Sequence, residues 1–583
     1  MNGYRIEWGA RIPMRDGVRL HAVLYHPHGK AKSPVAMIRT PYSSDTYHVV
    51  AQHFVKRDYV CAVVDVRGRG PSEGEFVPFD NEKRDGYDCI EWLAAQPWCS
   101  GEVFTVGSSY GGTAQWQAAS QRPPHLVAMC PTAPAMLGID FPFHRGIFMT
   151  YAIQWLTLTS GKTTPFNSFG DPTYWPGVFR NAYRNHRPYA ALDRAARSTT
   201  TRFQSWIEHP TVDTYWDAFN VTDEEFAAID LPIMSVSGLY DGDWLGTLAH
   251  YRKHHALAPK SATEKHFFVI GPWDHVGTRT PKRETGGLSF GPQALLDVDG
   301  LHVAFYEWAA GRGKRPSFLK DRVAYYVAGL EEWRYAPSFE AIPSRREKRY
   351  LHADEGAGHD VFSSGSLDAS AEPGVPPATY VYDPLDVRPA EILETENPDI
   401  THADILRDQS PAINLFGNGL VYHTPPLDDD LVLTGVLELH LFASVNVPDT
   451  DIAATLYAIH PDGSSITLAE DKLRLRHRDS SRVAELAVPG EIYELAFTDF
   501  RIVSQLAVKH SRLRLLIRCP NTPFDQKNYN SGGNVMHETR PDARTARVTI
   551  HHAPPHASYL DLPIGDRVAK QRLEPHEAVG WFT

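Results

Sequence analysis

Gly107-Ser108-Ser109-Tyr110-Gly111, read with its flanks, decides how this chain folds. Val103-Phe104-Thr105-Val106 before it is apolar and of strand length. Gly112-Thr113-Ala114-Gln115-Trp116-Gln117-Ala118-Ala119 after it reads as a helix. A G-x-S-x-G turn at a strand-to-helix junction lifts the central serine out of the sheet and exposes its hydroxyl. Such a turn crowds the backbone. Gly107 and Gly111 sit where bulk would clash, and Gly112 lets the helix pack closely. The pentapeptide alone does not separate a nucleophile from a structural turn, so partners elsewhere in the chain must decide.

Outward from the turn, the first third of the chain alternates strands and helices. Val18–Tyr25 follows Asp16-Gly17, a hairpin signal, and Pro34–Ile38 and Val60–Val66 are strand-length apolar runs. Glu82–Ala95 has helical spacing, with Tyr87, Ile90, Trp92 and Leu93 on one broad face, and Leu126–Cys130 is a further strand. This α/β order predicts a largely parallel sheet. Between about 140 and 230 the texture changes. Phe148–Leu156 and Pro188–Ala196 read as helices, so a helical cap is inserted there. Strand character returns at Leu231–Ser237 and Lys265–Ile270. Beyond about 320, short alternating runs (Leu431–Phe442, Ile452–Ile459, Glu485–Val488, Leu506–Arg518, Thr545–His551) predict an all-β sandwich or jelly roll. Gly356 to about Pro384, rich in Gly, Pro, Ser and Ala, is expected to run over the surface. The expected division is a discontinuous catalytic domain (1–139 and 230–345), a cap (140–229) and a β domain (346–583).

Composition bounds the function. At 583 residues the chain exceeds one ordinary core. A net charge of -12 with no basic run argues against nucleic-acid or membrane partners. No apolar stretch is long enough to span a bilayer, and the N-terminus lacks a signal core. The five cysteines are scattered, with no C-x-x-C pair. The 28 histidines include no H-E-x-x-H spacing. Neither metal nor cofactor is expected, and a cytoplasmic location is the default.

The partners a nucleophilic serine needs follow in the order expected of an α/β-hydrolase: serine, acid, histidine. Asp241, in Ser237-Gly238-Leu239-Tyr240-Asp241-Gly242-Asp243, lies just past one apolar strand. His275, in Ile270-Gly271-Pro272-Trp273-Asp274-His275, lies just past the next. Both sit at carboxyl strand ends, where open α/β sheets place their sites. A serine hydroxyl is a poor nucleophile, so His275 would take its proton and pass it to the leaving group. Asp241 would hold the imidazole tautomer. Asp243 and Asp274 are rival acids. For the oxyanion, the Tyr110 N–H is one donor. No His-Gly-Gly-Gly motif follows the early strand, and the Tyr42 hydroxyl in Arg39-Thr40-Pro41-Tyr42 could serve instead.

Together, Arg-Thr-Pro-Tyr (39–42), Asp65-Val66-Arg67-Gly68-Arg69-Gly70-Pro71-Ser72-Glu73-Gly74, Gly-Ser-Ser-Tyr-Gly-Gly (107–112), Tyr-Asp-Gly (240–242) and Gly-Pro-Trp-Asp-His (271–275) resemble the cocaine esterase / glutaryl acylase / X-prolyl dipeptidyl-peptidase family. That family also contains α-amino acid ester hydrolases. The resemblance extends to Pro448–Asp451, His460–Gly463, Leu473–Arg476 and Asn528–Gly533. It implies an α/β-hydrolase core with a helical cap and a C-terminal jelly roll. It also implies Ser109, Asp241 and His275 as triad, and Tyr42 and Tyr110 as oxyanion hole.

The expected substrate is a small carboxylic ester or amide, bound between core and cap. Phe141, Phe143, Trp155 and Trp244 are candidate walls for an apolar acyl or aryl group. The resemblance also implies, for the amino acid ester hydrolases, a carboxylate two residues past the triad acid, in a cluster that holds a substrate ammonium. Asp243 stands there, Asp140 is a second candidate, and Trp244 occupies the place of a third acid. Acyl transfer to an alcohol or amine, and X-prolyl or α-amino-acyl peptidase activity, are alternatives on the same triad. A non-catalytic binding protein is the remote one. A homodimer is allowed.

Overall fold

A computed structural model describes residues 3–198, 200–392, 405–414, 416–568 and 571–574. The chain opens with a hairpin, β1 (Tyr4–Pro13) and β2 (Arg19–Pro27), turning at Asp16-Gly17. There follow β3 (Ser33–Thr40), α1 (His48–Val55), β4 (Val60–Asp65), α2 (Glu82–Ala94), β5 (Cys99–Ser108), α3 (Tyr110–Ser120) and β6 (Leu126–Thr132). β4 is buried along its whole length because helices cover both faces of the sheet.

The layer that follows begins with a small hairpin, β7 (Phe143–His144) and β8 (Ile147–Phe148). Short helices come next: α4 (Tyr151–Leu158), α5 (Phe166–Phe169), α6 (Tyr174–Arg184), α7 (Leu192–Ala195), α8 (Arg202–Ile207), α9 (Thr214–Phe219) and α10 (Asp223–Ala228). The sheet resumes with β9 (Ile233–Tyr240) and α11 (Trp244–Leu257), then α12 (Lys260–Thr263) and β10 (His266–Asp274). A second small hairpin, β11 (Glu284–Thr285) and β12 (Leu288–Ser289), leads to α13 (Val298–Ala309), β13 (Val323–Val327) and β14 (Glu332–Ala336).

The ten strands run β1-β2-β4-β3-β5-β6-β9-β10-β13-β14. Those from β4 to β13 are parallel. The carboxyl ends of β3, β5, β9 and β10 therefore share one edge, and Tyr42, Ser109, Asp241 and His275 follow directly from them.

From Arg345 to Ile564 the chain builds a second, 13-stranded sheet system. This is an α/β-hydrolase fold with a C-terminal all-β domain. The β domain meets the helical layer through buried polar contacts. His144 Nε2 lies 2.9 Å from Asp471 Oδ1, and Arg474 donates to the Gly146 carbonyl while pairing with Asp451 at 2.8 Å.

Three expectations for single segments change. Glu485–Val488 forms no strand, since its alternating residues find only isolated backbone bonds such as Ala487 N to Pro448 O. The stretch from Gly356 to Pro384 is not all surface loop. It contains strands Gly365–Asp368 and Ala378–Tyr382, with Leu367 and Tyr380 in the core. The inward face of α2 carries Glu82, Asp85, Gly86, Cys89, Ile90 and Leu93, whereas Tyr87 and Trp92 are only partly buried. Its acids turn inward because Arg39 and Arg67 meet them there. Among the described residues no helix is long and apolar enough to cross a membrane.

Candidate active site

Ser109 sits between β5 and α3 with φ 59° and ψ −125°, a region costly for a side-chain-bearing residue. The turn is fixed by Ser109 N–H donating to Thr132 O at 3.0 Å, and by Gly112 and Thr113 N–H donating back to the Ser109 carbonyl. A Cβ on Gly112 would lie 2.5 Å from the Thr132 carbonyl oxygen, so only glycine lets α3 approach β6 this closely. The Ser109 side chain is partly exposed and reaches the Tyr42 hydroxyl. Ser108 is engaged elsewhere: its Oγ accepts from Arg279 Nη1 at 2.9 Å.

His275 Nδ1 lies 2.8 Å from Asp241 Oδ1. Asp241 is buried, and it also accepts from Ser237 Oγ at 3.1 Å and Asp243 N–H at 3.0 Å. A carboxylate at Nδ1 fixes the tautomer with Nδ1 protonated and Nε2 available as the acceptor. Of the rival acids, Asp274 points away, accepting from Gly277 N–H at 2.7 Å and pairing with Lys282 at 2.5 Å. Asp243 Oδ2 stays 3.8 Å from His275 Nδ1, beside the pair.

The tyrosines are held by different means. Tyr42 N–H donates to Thr40 Oγ1 at 3.0 Å, and Tyr42 Oη accepts from Trp155 Nε1 at 3.0 Å. Burial pushes the Tyr42 hydroxyl up to about 12, so it stays protonated across the working pH range. Tyr110 is the first residue of α3, where no earlier helical carbonyl exists to accept its N–H. Its ring stacks on Phe79 at 4.4 Å and its hydroxyl donates to Glu82 Oε1 at 2.7 Å. Glu82 is in turn ion-paired with buried Arg39.

Two of the candidate pocket aromatics join this assembly. Trp155 bonds Tyr42, and Phe141 meets the Trp155 ring edge-on at 5.3 Å. Phe79 and Trp206 each lie nearly parallel to the Trp155 ring, with centroids 5.9 Å and 6.2 Å away.

Phe143, Trp244 and Asp140 stand in other surroundings, the first two in ring clusters and the third among backbone donors. Phe143 is fully buried, stacking on Phe148 at 4.5 Å and meeting Trp216 at 5.4 Å. Trp244, in the first turn of α11, packs against Phe268 and Phe339 in a separate hydrophobic cluster with residues of β9, β10 and β13. Asp140 accepts from Met136 and Gly246 N–H, tying the chain after β6 to α11. Burial, with the Asp241 charge adding to it, pushes the Asp140 carboxyl up to about 7.

The sequence reading missed Phe79, Trp206 and Arg279 as neighbours of the site, and gave no role to Arg39, Glu82 or Arg69. A charged residue closing an apolar run, as in Met37-Ile38-Arg39, was the available signal for Arg39. Nothing local marks Phe79 or Arg279.

Comparison with known proteins places this arrangement. Residues 16–277 match the X-Pro dipeptidyl-peptidase (S15 family) model, and residues 319–561 match the X-Pro dipeptidyl-peptidase C-terminal non-catalytic domain. The chain therefore carries both the S15 X-Pro dipeptidyl-peptidase domain and the C-terminal domain that accompanies it. It is a hydrolase. It is 29% identical over 588 residues to a cocaine esterase from Rhodococcus sp. (strain MB1 Bresler), covering 96% of this chain and 99% of that one. Two solved structures share the fold. One is an aminopeptidase from a marine sediment archaeon, Thaumarchaeota archaeon (TM-score 0.83, 23% identity, 97% of this chain and 96% of that one). The other is an α-amino acid ester hydrolase (TM-score 0.83, 21% identity, 97% of each chain).

Proposed function

We propose that this protein cleaves small carboxylic esters or amides through an acyl-enzyme on Ser109. The observation that carries the reading is the 2.8 Å His275–Asp241 pair standing at the same sheet edge as the strained Ser109 turn. Ser109 Oγ attacks the carbonyl carbon as its proton passes to His275 Nε2. The resulting oxyanion is met by the Tyr42 hydroxyl and the Tyr110 N–H. The C–O or C–N bond then breaks, and His275 returns the proton to the departing alcohol or amine. Water repeats the sequence in reverse and frees Ser109. The Asp241 carboxylate stabilises the imidazolium in both halves.

Phe141 and Trp155 offer an apolar, aromatic boundary beside Tyr42, which suits an aryl or branched acyl group. The cocaine esterase relative agrees with an ester substrate. A second reading, an α-amino-acyl ester or peptide substrate, draws support from Asp243. Its carboxylate is partly exposed and lies beside the His275–Asp241 pair, in reach of a substrate ammonium. The five buried, unpaired cysteines fit a reducing compartment such as the cytoplasm. The test is a library of acyl esters and amides, followed by intact mass of the enzyme stalled on each. A mass increment on Ser109 names the acyl group. Turnover with no adduct on Ser109 under any quench would reject the covalent route.

A further inference from the structure

Arg69 is fully buried. Six oxygens accept from it, all of them uncharged. Nε donates to Pro41 O at 2.7 Å. Nη1 donates to Thr159 O at 2.8 Å and to Gly161 O. Nη2 reaches Leu158 O at 3.4 Å, Thr163 O at 3.1 Å and Thr164 Oγ1 at 3.0 Å. The guanidinium thus joins two pieces of chain far apart in sequence. One is the peptide group that links Pro41 to Tyr42. The other is the end of α4 with the loop through Thr164 that follows it; the last carbonyls of a helix have no intrahelical partner and attract a cation.

The same two pieces meet again nearer the serine, where Trp155, one turn before the α4 terminus, donates to the Tyr42 hydroxyl. Further bonds brace the joint. Gly70 N–H donates to Lys162 O at 2.8 Å, Lys162 Nζ donates to Ser72 O at 2.5 Å, and Ser43 Oγ lies 3.2 Å from Thr164 Oγ1. The Arg67–Gly74 loop is folded to aim Arg69 inward: a Cβ on Gly68, at φ +75°, would fall 2.1 Å from Phe76 N.

We infer that Arg69 is a positioning residue for the oxyanion hole: it clamps the Pro41–Tyr42 peptide to the α4 terminus and so sets where the Tyr42 hydroxyl stands relative to Trp155 and Ser109. This rests on the reading of Tyr42 as an oxyanion donor. Only a planar fork with five N–H groups spans all these acceptors, and lysine does not replace it. Misplacing a catalytic donor by about 1 Å costs on the order of 10²-fold.

The test is Arg69→Lys in wild-type and Tyr42→Phe backgrounds, with kcat and KM for a neutral ester and affinity for a boronic acid transition-state analogue. In the wild-type background kcat is expected to fall about 10- to 100-fold, with KM within about threefold and analogue affinity falling in parallel. In the Tyr42→Phe background the same change lowers kcat less than about threefold, because the group it positions is already gone. An undiminished kcat in folded Arg69→Lys overturns the inference. So does an equal loss in both backgrounds, which is the mark of a merely structural role. A Tyr42→Phe enzyme with unchanged kcat rejects the oxyanion assignment itself, and is recognised from that variant alone. If Arg69→Lys does not fold, Thr164→Val removes one acceptor and the Ser43 link. A several-fold loss of kcat confined to the Tyr42-containing background then supports the clamp, and no loss overturns it.

Discussion

Replacing Tyr42 by Phe removes a single oxygen with two separable consequences. The hydroxyl reaches the Ser109 side chain, and burial keeps it protonated up to about pH 12, so it can donate to a developing oxyanion. Loss of one such donor costs about 2.7–4 kcal/mol in the transition state. That corresponds to about 10²–10³ in kcat at ~1.4 kcal/mol per tenfold, with KM little changed. The second consequence is for stability. Trp155 Nε1 donates to Tyr42 Oη at 3.0 Å, and Trp155 is 5% exposed, so the variant leaves a buried donor unpaired. An unpaired buried donor costs about 1–3 kcal/mol. Steady-state kinetics on an aryl ester reads the first effect, and a urea unfolding midpoint reads the second. Trp155→Phe and the double variant complete a cycle: the double variant should lose less stability than the two single losses summed, and it should recover none of the lost kcat. A folded Tyr42→Phe enzyme with kcat within about threefold of wild type would refute the reasoning. So would a double variant in which kcat returned.

Other consequences can be checked as directly. Asp241→Asn should lower kcat about 10⁴-fold while the enzyme stays folded, because an amide no longer holds the Nδ1-protonated tautomer; rate and thermal melt together check it. If Asp243 meets a substrate ammonium, kcat/KM should favour an α-amino ester over its des-amino match in wild type. Asp243→Asn should erase that preference, and equal ratios in both enzymes would exclude the role. Burial lowers the pKa of His250, His254 and His255 to about 4, and that of His266 well below its ordinary value. The unfolded chain therefore binds protons first as pH falls. Stability should be full above about pH 6.5 and decline toward pH 4, by up to about 1.4 kcal/mol per histidine per pH unit. Urea midpoints measured across that range would show it. His255, stacked on Tyr251 at 4.1 Å, is the natural site for a His→Phe variant that should flatten part of the slope.

The parts of this fold legible in the sequence were those that short-range patterning controls. Apolar runs such as Val60–Val66 declared parallel strands, and the glycines around Ser109 declared the turn. Asp241 and His275 were readable because each ends a strand in the expected order. The helical layer was harder, because its helices are short and its aromatics pack in every direction. Phe143 and Trp244 look like pocket residues in sequence, yet one fills the core beneath β7 and β8 and the other a cluster under α11. Asp140 is a candidate substrate contact in sequence; in the fold it accepts from two backbone N–H groups, one of them far along the chain. Arg69 shows the limit most plainly. All but one of its acceptors are backbone carbonyls, some thirty residues back and ninety ahead, which no local pattern announces.

The central claim is that Ser109 carries the acyl group. A fluorophosphonate probe with intact-mass and peptide-level readout tests it most directly, on wild type, Ser109→Ala and Ser108→Ala. One adduct per chain on Ser109 is expected in wild type, with its complete loss in Ser109→Ala and its retention in Ser108→Ala. An unlabelled wild type that still hydrolyses esters, or labelling that survives Ser109→Ala, would contradict it.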